Sequence, residues 1–149
     1  MTNSRIPNEV DWGVISDDDL DLRAAHEDFF GKSNAEMQDA FSRYVIGLSD
    51  SLRWMPSVPF QYYICGFADF VINGKYDTTD APDVASTFMV LVEEKLNEQP
   101  NVILPVMDKL LPVITHIAAN QSVYGADIDI YGDFSETKSN IEKLLYDQK

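Results

Sequence analysis

Cysteine is nearly missing from this chain: Cys65 is the only one among 149 residues. A single thiol excludes an internal disulfide framework and suits a reducing compartment, so a cytoplasmic location is the expectation. Histidine is almost as scarce, with only His26 and His116. No Cys or His stands at the paired spacing of a zinc site, so no metal or cofactor is expected. The seven glycines are scattered singly, which leaves no phosphate-cradling loop. Basic residues are few as well: 11 Lys and Arg against 25 Asp and Glu give a net charge of −14. No Lys/Arg cluster offsets that balance. Direct binding to DNA, RNA or an anionic membrane is therefore excluded, because it relies on cations neutralising phosphates. Long apolar runs are missing too. The uncharged stretch over residues 54–68 contains Pro56, Ser57, Pro59, Gln61 and Gly66 and is too short and mixed to span a bilayer. The first nine residues hold one basic residue and no apolar run, so no secretory signal is expected.

What is present is ordinary for a globular protein, with 45% apolar and 24% charged residues. A chain of this size buries roughly 68–70% of its unfolded surface, enough for one self-sufficient domain over residues 1–149. No linker or composition break divides it.

The pattern predicts an all-α domain of five to six helices, two of them buried. Residues 1–15 read as an irregular arm carrying Ile6, Val10, Trp12, Val14 and Ile15. Ser16 followed by Asp17, Asp18 and Asp19 reads as a cap with carboxylates in the first turn, opening a helix over 17–30 that stops at Gly31. Ser33 and Glu36 form a capping box. The helix they open repeats Met37, Phe41, Tyr44, Val45, Leu48, Leu52 and Met55 on one face and ends at Pro56. Residues 59–72 are apolar nearly all round and predict a buried central helix. Asp80 with Pro82 caps the next helix, striped by Val84, Phe88, Leu91, Val92 and Leu96. Residues 102–119 predict a second buried helix, kinked or split at Pro112, which removes the hydrogen bond to the Asp108 carbonyl. Asp133 caps a last helix with Phe134, Ile141, Leu144 and Leu145 inward. The segments 34–72 and 82–119 have the shape of two helix-pair repeats, with Phe41 and Phe88 equivalent.

The most ligand-like stretch is residues 127–135. Read as a calcium loop from Asp127, it has Asp129 and Gly132 in place, but Tyr131 stands where an oxygen ligand belongs and Lys138 where a bidentate Glu must sit. The better reading is a short extended segment near 126–131, with Ile128 and Ile130 inward and the carboxylates outward. Gly47-Leu-Ser-Asp-Ser51 lacks the second glycine and the strand–helix context of a nucleophile elbow. Cys65 and His116 would make a nucleophile pair if the fold joined them, but both lie among apolar neighbours. A buried inert thiol and a core histidine are the expectations. Asp69 falls in a helix read as buried, where an ion pair with Arg43 or Arg53 is expected.

Two acidic groups concentrate the charge. One is Asp17, Asp18, Asp19, Asp21, Glu27 and Asp28, six acids in twelve residues; the other is Asp127, Asp129, Asp133 and Glu136. A field of one sign speeds association with a basic partner. Asp17, Asp18, Asp21, Glu27, Asp28, Asp127, Asp129, Tyr131, Asp133 and Glu136 are the candidate partner contacts, with Trp12, Tyr131 and Phe134 as candidate desolvated anchors.

A small acidic helical domain with no catalytic set, carrying the stretches 55–60, 120–124 and 127–134, resembles the immunity proteins of bacterial toxin–immunity pairs, including those of contact-dependent inhibition. Those proteins share no single fold or motif, so no family residue carries over. The resemblance implies a one-to-one inhibitor of a toxin domain, many of which are nucleases with basic clefts, and no enzyme activity of its own. The alternatives are an acidic adaptor or nucleic-acid mimic, and a small enzyme with an unrecognised site.

Overall fold

In the computed structural model, residues 5–148 are described. Six helices of ten residues or more carry the architecture: α2 (Leu20–Phe29), α3 (Asn34–Arg53), α4 (Ser57–Asn73), α5 (Ala81–Glu98), α7 (Met107–Ala119) and α9 (Phe134–Asp147). Single turns α1 (Glu9–Trp12), α6 (Pro100–Ile103) and α8 (Ile128–Tyr131) join them, with a 3-10 turn at Leu104–Val106. Among the described residues there is no strand, as the sequence pattern predicts.

The longest helix starts as its sequence dictates. The Ser33 hydroxyl accepts from the Glu36 amide at 3.1 Å and the Glu36 carboxylate accepts from the Ser33 amide at 2.9 Å. That second bond, from the backbone of Ser33, lowers the Glu36 pKa. Its apolar stripe then meets α4. Phe41 stacks on Phe67 with centroids 5.0 Å apart and on Phe70 at 5.5 Å, and Phe67 meets Phe88 of α5 edge-on at 5.3 Å. All four rings are fully buried. Each contributes roughly 1.5–3 kcal/mol of burial free energy, which makes this aromatic stack the anchor of the domain. Helix α4 is the axis, touching α3, α5, α6, α7 and α1.

Close approach of α3 and α4 depends on Gly66. A Cβ there would lie 2.2 Å from the Asn34 Oδ1, and Asn34 is fixed by the bond from its Nδ2 to the Tyr62 carbonyl at 2.9 Å. Gln38 completes the seam, donating to the carbonyls of Asn34 and Gly66. Tyr63 reaches in the other direction: its buried hydroxyl lies 2.7 Å from the carbonyls of both Phe29 and Lys32, at the C-terminal end of α2. Burial raises its pKa.

Lys95 is buried within this framework, 3% exposed. Its ammonium donates to the Arg53 carbonyl at 2.5 Å and the Gln99 Oε1 at 2.7 Å, and lies 4.9 Å from the Phe60 ring centroid. It thereby satisfies a carbonyl at the C-terminal end of α3. The Arg53 side chain ties the same corner to α5 through Glu94 at 2.9 Å. Burial holds the Lys95 ammonium down to about 8 from an ordinary 10.5.

Several expectations are corrected. Part of the presumed irregular arm is α1, capped reciprocally by Asn8 and Asp11; Trp12, at its end, is buried against His26 and Tyr63. The first long helix begins at Leu20, capped by Asp19 and not Ser16, and ends before Gly31, whose φ is +76°. Asp80 makes no side-chain cap; Asp77 accepts from its amide at 3.0 Å instead. Helix α7 runs through Pro112, because both Pro112 and Asp108 face solvent and the orphaned carbonyl can be hydrated. The break falls at Pro105, in the 3-10 turn. The second helix pair is therefore interrupted by α6 and that turn. Residues Pro100–Ala119 are long and apolar enough in composition to cross a membrane, but Ile103, Leu110, Ile114 and Ile117 among them are core residues. Asp69 is exposed, hydrogen-bonded to Asn73 at 2.8 Å, while Arg43 pairs with Asp39 and Arg53 with Asp50 and Glu94. His116 is also exposed, with Asn120 beside it.

Candidate functional site

The first acidic group lies on α2 and the turn before it. Asp17, Asp18, Asp21, Glu27 and Asp28 are all exposed, and none forms an ion pair among the described residues. Asp17 and Asp18 stand in the turn, where the Asp18 amide donates to Ser16. Asp19 spends its carboxylate on the Leu22 amide, and Asp28 accepts from the Ser51 hydroxyl at 3.1 Å, tying α2 to α3. Arg23 sits among them and donates to the Asp17 carbonyl. His26, half-buried, stacks on Phe30 at 4.5 Å and lies 3.5 Å from Glu9.

The second group is built differently. The segment from 121 to 134 folds around the Gln121 side chain. Its Nε2 donates to the carbonyls of Ala126 at 2.9 Å and Gly132 at 2.7 Å, and its Oε1 accepts from the Phe134 amide at 2.8 Å. Gly125 and Gly132 take φ of +70° and +80°, a backbone that only glycine adopts cheaply, and they bracket α8. Asp127 caps α8 by accepting from the Asp129 amide at 2.8 Å, and Asp133 caps α9 by accepting from Ser135 at 2.9 Å. The Tyr131 hydroxyl donates to Asp83 at 3.1 Å, and that bond raises the phenol's pKa.

This arrangement overturns the extended reading of 126–131. A single helical turn replaces it, and the isoleucines expected to face inward face out: Ile128 is 57% and Ile130 75% exposed. Val123, one turn earlier, is 78% exposed. Asp129 and Glu136 are exposed beside them and Asp133 is half-buried. A cleft of about 540 Å³ opens where the end of α7 faces α8; Ala118, Ala119 and Ile128 give it apolar walls and Asp127 and Asp133 its carboxylates. No cation lines it.

Of the three anchor candidates, Trp12 and Phe134 are core residues, 1% and 2% exposed, and are not free to meet a partner. Tyr131 is half-buried and engaged with Asp83. The exposed aliphatics Val123, Ile128 and Ile130 were missed as contacts; their alternation with Asp127 and Asp129 was legible, but its direction was not. Cys65 is half-buried, and burial raises its pKa, which disfavours the reactive thiolate. His116 pairs in a ring contact with Tyr124, centroids 6.0 Å apart, and not with Cys65. Among the described residues no three His, Cys, Asp or Glu side chains converge as metal ligands. The two acidic groups ride on elements with different neighbours, α2 on α3 and α9 on α5 and α7. No protein-family model matches this chain, and neither a curated protein nor a solved structure does so.

Proposed function

We propose that this chain is an acidic binding protein of the immunity type, which neutralises a basic toxin domain, such as a nuclease, in the cytoplasm of the cell that makes it. The observation that carries the reading is the surplus of unpaired carboxylates set beside outward-facing aliphatic side chains on a loop held by internal hydrogen bonds. Exposed charge of one sign raises the rate of encounter with a basic surface, and apolar side chains desolvated in the complex slow its dissociation. A held loop loses little freedom on binding. Cys65 packs against the core, His116 lies against Asn120 and Tyr124, and Asp127 and Asp133 cap helices.

The test is co-expression. The expected genetic context is an adjacent gene for a large secreted protein with a variable C-terminal domain. Producing that domain should arrest growth, and producing this chain alongside it should restore growth through a one-to-one complex. Arrest that persists in the presence of folded chain overturns the reading and favours the adaptor or nucleic-acid mimic.

A further inference from the structure

We propose that α8 and the cleft beside it form the docking face, and that the occupant is a segment of a basic protein presenting an arginine or lysine flanked by apolar side chains. The inference rests on the reading above and adds the face and the chemistry of what covers it.

Ile128, Ile130 and Val123 stand outside the buried core, yet side-chain bonds hold the backbone that displays them. Gln121 holds three backbone groups of this segment, Tyr131 ties it to α5 through Asp83, and Phe134 plugs it into the core. Fixed apolar display suits an interface centre, because the backbone needs little further ordering on binding.

The surroundings specify the sign of the occupant. Asp127 and Asp133 each use Oδ1 for a cap, and both residues line the cleft. The alanine and isoleucine walls suit the methylene stem of a long basic side chain, and the carboxylates suit its head. A second copy of this chain would bring Asp127, Asp129 and Asp133 against their own equivalents, at −14 apiece. An anionic lipid surface meets the same repulsion. The acidic group on α2 is the weaker alternative, since Arg23 and His26 lie within it.

The probe is a helical peptide of about 12 residues made of leucine and arginine, with serine–arginine and leucine–glutamate analogues as controls. Titrated into isotopically labelled protein at low salt, the leucine–arginine peptide should shift the amide resonances of residues 118–135 saturably. The double variant Ile128→Ser/Ile130→Ser, both exposed positions, should keep the parent's circular dichroism and lose about tenfold in affinity. The triple variant Asp17→Asn/Asp18→Asn/Asp21→Asn tests the other acidic group, and a loss of affinity larger than that of the isoleucine variant overturns the docking face. Shifts centred on residues 16–28, equal affinity of the isoleucine variant, or no saturable shift overturns the docking face. The growth assay separates this failure from the broader one. If parent and isoleucine variant restore growth equally, the face is wrong and the immunity reading stands. If the parent does not restore growth, the reading itself fails.

Discussion

Replacing Lys95 by methionine gives the most quantitative test of the packing described above. The buried ammonium is held down to about 8, against 10.5 when the chain is unfolded. Below pH 8 both states are protonated and the native state bears the full cost of the buried charge. Between pH 8 and 10.5 the native state releases a proton that the unfolded state keeps, so the lysine's contribution to stability rises with pH. The gap of 10.5 − 8 gives a ceiling of about 3 kcal/mol at about 1.4 kcal/mol per unit. At pH 9.5, roughly 2 kcal/mol of it should be realised. Other groups pull the opposite way. The Cys65 thiol and the Tyr63, Tyr76 and Tyr124 phenols are all raised by burial, Tyr76 to about 12, so stability falls as their unfolded counterparts ionise from about pH 9 upward. Lys95→Met cancels those terms. The variant loses the bonds to Arg53 and Gln99 and also loses the buried charge, so its stability at one pH decides little. The measured quantity is the difference in urea-unfolding free energy, parent minus variant, at pH 7 and pH 9.5. It should grow by about 2 kcal/mol in the parent's favour. A difference constant within about 0.5 kcal/mol would show that Lys95 does not titrate in that window and would refute the burial argument.

Gly66→Ala should lower the urea-unfolding free energy by about 1–3 kcal/mol, because the new Cβ meets Asn34 at a seam that has to widen. Gln121→Ala removes three hydrogen bonds and should cost about 2–3 kcal/mol while amide exchange across residues 126–134 accelerates; unchanged exchange would mean that the loop holds itself. Ser33→Ala should lower the same free energy by about 1 kcal/mol through loss of the α3 cap. Chelator treatment should leave the melting temperature in place, since Asp127 and Asp133 serve as helix caps; a drop that calcium or zinc reverses would overturn that assignment.

The six long helices were legible because their stripes are long enough to average over local exceptions, and Ser33–Glu36 and Asp133 mark starts that the structure keeps. Single-turn elements were not, since four residues cannot show a period. Ile128 and Ile130 alternate with aspartates as a strand would, but the Asp127 cap and the glycines on either side turn the chain at once. The same alternation hid the candidate docking face, where aliphatic residues point away from the core that hydrophobicity assigns them to. Asp69 was misread for a different reason. Gln61, Cys65, Asp69 and Asn73 recur every four residues along α4, a thin outward strip that the surrounding aromatics obscured. His116 follows the same logic on α7, one turn from the exposed Pro112.

The two tryptophans stand in opposite surroundings, and that makes the chain its own spectroscopic gauge. Trp12, packed edge-on against His26 at 5.2 Å and tilted over Tyr63, is sealed from water, whereas Trp54 at the end of α3 is 45% exposed. Blue-shifted, quencher-resistant emission therefore belongs to the N-terminal turn, and red-shifted, quenchable emission to the corner where Lys95 and Arg53 join α3 to α5. Lift-off of the first turn and opening of that corner would be read as separate colours in one fluorescence trace.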